Sequence, residues 1–281
     1  MAPKGEIKIG RLQQRALVTN REQLTRTGTI KVSFDVLDDE RFNYAPGQFV
    51  AIDFEHPQLG YRRSPYCICS PPNGRRFDLL VRVVREGPVS LFINDLREGD
   101  LISFRGPTGP SMFPKQGGLN LVLIATGVGV SPFFPLLEAL FKQHYHKQIT
   151  FYWGLRQVED ICLTETLDRI AERHSNFSYH ISLSNPSMHW TGLRGRVTES
   201  VPPLLKTLQD KHFILSGNGA MIVEMSDALA EVGVPTSRIY EEVFFNLSHQ
   251  PEPAVIASIR SRFTASDIHS VTDCLNELLT E

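Results

Sequence analysis

Between residues 30 and 107 apolar and polar positions exchange within short runs separated by Gly, Pro, Asn and Asp. The runs are IKVSFDVL (30–37), PGQFVAIDF (46–54), YCICS (66–70), FDLLVRVVRE (77–86) and DLISFRGP (100–107). Runs of this length with turn signals at regular spacing predict a small antiparallel β-barrel or sandwich. One helix interrupts them, predicted over 90–96, opening at a Gly-Pro turn and closing at Gly99.

From residue 119 the pattern changes. Long apolar strands alternate with amphipathic stretches: LNLVLIAT, then SPFFPLLEALFKQH opening with Pro132, then QITFYWGL, TETLDRIAERH, FSYHISLS, a helix near ESVPPLLKTL, HFILSG, and AMIVEMSDALAEVG. Strand and helix in strict alternation predict a parallel sheet covered on both faces. The expected organisation is a β-barrel domain over 1–115, an α/β parallel-sheet domain over 116–246, and an extension over 247–281. The segment FPKQGG (113–118) is expected to divide the two domains, and the extension is expected to end in a capped amphipathic helix.

Composition changes this picture little. Of the 281 residues, 41% are hydrophobic and 21% charged, as in ordinary globular proteins. A formal net charge of -2 gives no reason to expect nucleic acid as a partner. No apolar run of about 18 residues and no signal-peptide core occurs, so a cytoplasmic location is expected. Cys67, Cys69, Cys162 and Cys274 contain no CxxC pair and lie at no zinc or iron–sulfur spacing, so no metal is expected.

Two turns could carry chemistry. In 121-LVLIATGVGVSPFFPLL-137 a buried strand, a loop with Gly127 and Gly129, and a helix start follow one another. Such a loop can bring backbone N–H groups and the positive helix end to a phosphate, or can be a plain tight βα turn. It lacks the third glycine of the dinucleotide fingerprint, which is Pro132 here. In 87-GPVS-90, Gly87, a hydroxyl and free N–H groups could hold a pyrophosphate, or Ser90 could be an ordinary N-cap.

The order of these features resembles the ferredoxin-NADP reductase superfamily: PGQFV, an aromatic strand SPYC, V-x-x-G-x-x-S, G-x-G-x-x-P, a late S-G-x-x-x-M, and a terminal aromatic pair. The resemblance spans about residues 8 to 246. It implies that the barrel binds FAD and the second domain NADH or NADPH. On it, Ser64, Pro65, Tyr66 and Cys67 take the place of the family's R-x-Y-[ST] motif. Tyr66 would flank the isoalloxazine, and Cys67 would stand where a hydroxyl usually lies near the flavin's reactive nitrogen. Leu80, Val81 and Arg82 match the next flavin-contacting strand, and Gly87, Val89 and Ser90 the pyrophosphate turn. Thr126, Gly127, Gly129 and Pro132 match the nicotinamide loop, and Gly217 and Met221 the motif closing over it. Phe245, with Phe244 beside it, would cover the second flavin face or pack a last strand.

Three departures stand out. The motif arginine is replaced by Ser64, with Arg62 and Arg63 just before it, leaving Arg63 as a candidate for the FAD phosphates. The family's frequent Cys before the late glycine is Ser216. After Ser184, Asn185 stands where NADPH-specific relatives often carry Arg, which leans toward NADH, whereas Arg156 and Arg196 lie where a 2′-phosphate could be met.

The reaction implied is hydride transfer from nicotinamide to flavin followed by release of single electrons. With no cluster in the chain, the acceptor would be a ferredoxin, a flavodoxin or an oxygenase component. Arg62, Arg63, Arg75 and Arg76 are candidates for docking an acidic carrier. A flavin or quinone reductase, and a noncatalytic subunit anchored by the 247–281 extension, are the competing readings; oligomeric state stays open.

Overall fold

The computed structural model describes residues 13–39, 41–85, 87–114 and 118–244. Phe245, Cys274 and the 247–281 extension lie outside them.

The first half is one antiparallel sheet in the order β4-β3-β6-β1-β2-β5. Its strands are β1 (Gln14–Gln23), β2 (Thr29–Val36), β3 (Phe49–His56), β4 (Gly60–Cys67), β5 (Arg76–Arg82) and β6 (Leu101–Thr108). The sheet curls until its edge strands meet at an antiparallel bridge, Ile68 to Leu79. Alternate residues fill the inside: Val50 and Ile52 of β3, Phe77, Leu79 and Val81 of β5, with Phe34 and Phe104. Helix α1 (Pro88–Asp95) packs against β3, β4 and β5, with Phe92 stacked on Phe54 at 4.3 Å. Two features went unread in the sequence. Strand β1 is one, and the other is the start of β4 at Gly60, well before YCICS.

The second half is a parallel sheet in the order β10-β9-β8-β7-β11-β12. Its strands are β7 (Asn120–Thr126), β8 (Ile149–Leu155), β9 (Phe177–Leu183), β10 (Leu193–Arg194), β11 (Lys211–Asn218) and β12 (Ile239–Phe244). Helices α2 (Phe133–Lys142) and α3 (Thr164–Arg173) cover one face; α4 (Val197–Ser200) and α5 (Gly219–Glu231) cover the other. Both faces are therefore dry, which is why β7 reads as a continuous apolar run. The helix predicted near 199–208 is instead α4 followed by a 3₁₀ turn at Pro202–Leu204. Paired prolines lack the N–H groups a helix needs there.

The two halves share a core. Cys69, Leu80 and Met112 of the curled sheet join the apolar cluster of Leu123, Phe133, Phe151 and Trp153. The outward face of β5 and of the segment after β4 thus meets the α2 side of the parallel sheet.

Candidate functional site

The candidate site lies where the carboxyl ends of β7, β8, β11 and β12 face β4 and β5, the position at which open α/β sheets bind ligands. Gly127–Val130 forms a 3₁₀ turn after β7 that packs against β5 and the end of β11. At Gly129 a Cβ would lie 2.6 Å from the Ser216 carbonyl oxygen, so only glycine lets this turn close on β11. Gly127, at φ +54, has open space on its side-chain side. The turn is held by Trp153 Nε1 donating to Gly127 O at 2.8 Å and by the Ser131 hydroxyl donating to Val128 O at 2.6 Å. Pro132 caps α2 without a side-chain bond.

Asn218 organises the neighbouring loop. Its side chain accepts from Met221 N at 2.9 Å and caps α5, while its backbone N–H donates to Thr126 Oγ1 at 3.2 Å. Met221 itself is buried in the core under α5. Thr126, Gly127, Gly129 and Gly217 therefore come together, and Met221 braces them from behind.

Across the cleft, β4 turns Tyr66 and Cys67 to opposite faces. Tyr66 joins Phe54, Val83 and Phe92 on the α1 side, its hydroxyl hydrogen-bonded to Ser64. Burial raises its pKa. Cys67 faces the parallel sheet, where Sγ lies 3.9 Å from Glu242 Oε1, a long sulfur hydrogen bond. Glu242 Oε2 accepts from the Tyr240 hydroxyl at 3.2 Å. Burial pushes the Glu242 carboxyl up to about 7, against the lowering effect of its Tyr240 and Cys67 hydrogen bonds. Burial, and then the nearby Glu242 charge, raise the Cys67 thiol well above its usual range. Ser216 is the register partner of Glu242, is fully buried, and its hydroxyl has no partner among the described residues. Cys67 and Cys69 are both free thiols.

The arginines of β4 divide by strand parity. Arg63 is paired with Asp53 across the ladder; its Nε donates to Asp53 Oδ1 at 2.7 Å, and its other arm meets the Tyr61 hydroxyl. Asp53 is only 7% exposed, and Arg105 also approaches it at 3.5 Å. Arg63 is thus committed to this ion cluster, on the face away from Tyr66. Arg62 is the cross-strand partner of Phe54, whose ring stacks on α1, so it shares the face of Ser64 and Tyr66.

Ser90 ties Val84 to the start of α1. Its hydroxyl accepts from Val84 N at 3.2 Å and donates to Gly87 O at 2.9 Å. A Cβ on residue 87 would fall 2.7 Å from that oxygen. The N-cap of α1 is Gly87, so Ser90 shapes the turn from inside the helix's first turn instead of capping it. Val89 and Val81 are buried in the barrel core, while Leu80 faces the parallel sheet. Arg82, on the same outward face, reaches Asp160 at 3.2 Å.

At the far end of the cleft, backbone bonds join the strand exits. Asn185 N donates to Arg156 O at 2.7 Å and Gly195 N to Leu183 O at 2.9 Å. Arg156, Ser184, Asn185 and Arg196 are thereby gathered on one exposed edge. Among the described residues no group of three or more His, Cys, Asp or Glu side chains could hold a metal, and no helix is long and apolar enough to cross a membrane. Sequence reasoning missed Asp53 and Asp160, whose partners lie on other strands or in the other domain, and Tyr240, which bonds Glu242 two residues along its own strand.

Comparison with known proteins matches residues 16–113 to the oxidoreductase FAD-binding domain family and residues 123–227 to the oxidoreductase NAD-binding domain family. The chain is 30% identical over 222 residues to ferredoxin–NADP reductase B of Sorangium cellulosum, covering 75% of this chain and 90% of that one. It is 28% identical over 207 residues to the anthranilate 1,2-dioxygenase electron transfer component of Acinetobacter baylyi, covering 73% of this chain and 59% of that one. It spans less than two-thirds of the length of several further relatives. The fold matches a ferredoxin NADP+ reductase from Neisseria gonorrhoeae solved with FAD and NADP, at a TM-score of 0.72, with 20% identity over 83% of this chain and 99% of that one.

Proposed function

The chain belongs to the ferredoxin-NADP reductase superfamily, oxidoreductases that join FAD to NAD(P), and from that premise we propose that it passes electrons from NADH or NADPH to a separate one-electron protein carrier. Bound nicotinamide supplies two electrons as hydride, and bound FAD accepts the pair and can release them singly. The residues here fit both groups. Gly87 makes room for the Ser90 turn. Gly127 leaves open space beside the cleft, and the Ser216 hydroxyl is a buried polar atom in want of a partner.

The observation that carries the reading is the meeting of Cys67 with Glu242 between the two domains. Glu242, titrating at about 7, can hold a proton on its carboxyl at neutral pH beside the Cys67 sulfur. Tyr66 offers an aromatic face on the α1 side of β4, and the free N–H groups at the start of α1 suit a phosphate. We assign the phosphate cation to Arg62, since Arg63 is bound to Asp53. Arg156 and Arg196 flank the adenosine end, where Asn185 replaces a phosphate-binding arginine; the reading keeps NADH slightly ahead of NADPH. An oxygenase component or a ferredoxin is the acceptor this reading favours.

Anaerobic titration of the FAD-loaded protein with NADH and NADPH in parallel tests it. Bleaching of the flavin, followed by reoxidation on adding a ferredoxin, is the expected result. A protein that stays colourless with FAD, or is bleached by neither coenzyme, would overturn it. Reoxidation by free quinone or flavin alone would instead favour a small-molecule reductase.

A further inference from the structure

Asp160 is a buried carboxylate, 8% exposed, that the chemistry above does not use. It sits in the 3₁₀ turn Val158–Asp160, just beyond the carboxyl end of β8, yet its partners belong to the curled sheet. Thr27, in the turn between β1 and β2, donates from Oγ1 to Asp160 Oδ1 at 2.6 Å. Arg82, the last residue of β5, places one guanidinium nitrogen 3.2 Å from the same oxygen and 3.0 Å from Thr27 Oγ1. Thr25 braces Thr27 through a hydroxyl pair at 2.9 Å. A buried carboxylate of one domain is thus satisfied by the other.

This cluster and the Cys67–Glu242 pair lie on either side of the Gly127–Val130 turn. The first hangs from the exit of β8 and the second from β12, with β7 and β11 between them. The domain separation over that turn is therefore held at two points. Domains joined only by a linker and a modest interface move relative to one another by default.

We propose that Asp160 is a positioning residue: through Arg82 and Thr27 it fixes the approach of the parallel-sheet domain to the barrel, and so the registry of the two cofactor sites. Each cofactor has its own domain, so loss of this tie should leave both affinities while slowing transfer between them. The inference rests on the proposed function, and its test contains an arm that does not.

Asp160→Ala, Asp160→Asn, Thr27→Val and, as the conservative replacement, Asp160→Glu would be compared as FAD-loaded proteins. With FAD and coenzyme dissociation constants within about twofold of wild type, the anaerobic flavin-reduction rate of Asp160→Ala should fall by about a hundredfold. Asp160→Glu should restore most of it. Independently of turnover, the Asp160→Ala variant should show a larger radius of gyration by X-ray scattering. Mass spectrometry should find alkylation of Cys67 and Cys69, which lie in the interface, about tenfold faster. If Asp160→Ala fails to fold, Asp160→Asn and Thr27→Val carry the same comparison. Unchanged reduction rate, scattering and alkylation in a folded variant would overturn the assignment. A wild-type protein that binds neither cofactor would sink the functional reading instead, leaving scattering and alkylation to judge the tie.

Discussion

Cys67 and Glu242 face each other across the two domains, Sγ to Oε1 at 3.9 Å, and the carboxyl titrates at about 7. Its pKa is raised in the folded protein, so folding takes up a proton between the ordinary 4.5 and about 7. The contribution to stability is full below 4.5 and is lost as pH rises through 7. Glu242→Gln should flatten the melting temperature against pH within that window and raise it above pH 7. Thermal melts from pH 4.5 to 8 check this; a slope that survives in the variant would assign the proton elsewhere.

Removal of the sulfur tests the other half of the pair. Cys67 faces away from α1, so Cys67→Ala should retain FAD with little change in affinity. A hydrogen bond contributes about 1 kcal/mol net, so flavin reduction should slow by about fivefold. Stopped-flow absorbance gives the rate, and an unaltered rate would make the thiol incidental.

The two β4 arginines should separate cleanly. Arg62→Ala should weaken FAD binding by about tenfold or more, as loss of a charge-assisted phosphate contact does, and leave riboflavin binding unchanged. Arg63→Ala should leave FAD affinity near wild type and lower the melting temperature, because the buried Asp53 loses its shortest cationic partner. Fluorescence titration and calorimetry read the two effects; the reverse pattern would return the phosphate role to Arg63.

Coenzyme choice should respond to Asn185. Its backbone joins Arg156 at the strand exits, so Asn185→Arg would add a third guanidinium beside Arg156 and Arg196. The ratio of kcat/KM for NADPH over NADH should rise by about tenfold. No shift in the ratio would place the 2′ end of the coenzyme away from this edge.

Gly129→Ala should be among the most damaging small substitutions. Its Cβ would sit 2.6 Å from the Ser216 oxygen and 2.7 Å from Gly217 Cα, both backbone atoms that cannot swing aside. Overpacking of this kind costs about 1–3 kcal/mol. A denaturant midpoint equal to wild type would show that the turn can shift.

The turns around the candidate site were legible as an order of short motifs. Gly127 and Gly129 mark the turn after β7, and Gly217 marks where β11 closes on Thr126, because backbone freedom and close approach depend on the local residue type. The roles of longer side chains were not legible in that way. Ser90 serves its own turn, and Arg82 serves the other domain. Both residues offer several hydrogen-bonding directions, and only the surrounding elements select one.

The amino-acid sequence by itself determined the two kinds of sheet. A strand covered on one side alternates its apolar residues, and a strand covered on both does not, so burial leaves its period in the chain. It also determined the order of turns along those sheets. Tertiary structure alone decided which side chains meet. Which face of β4 looks toward α1 follows from pairing register, and this separates Arg62 from Arg63. Thr27 and Asp160 stand 133 residues apart, and Cys67 and Glu242 175 residues apart. Contacts at such separations leave no local pattern, because they depend on how the two sheets come to rest against each other.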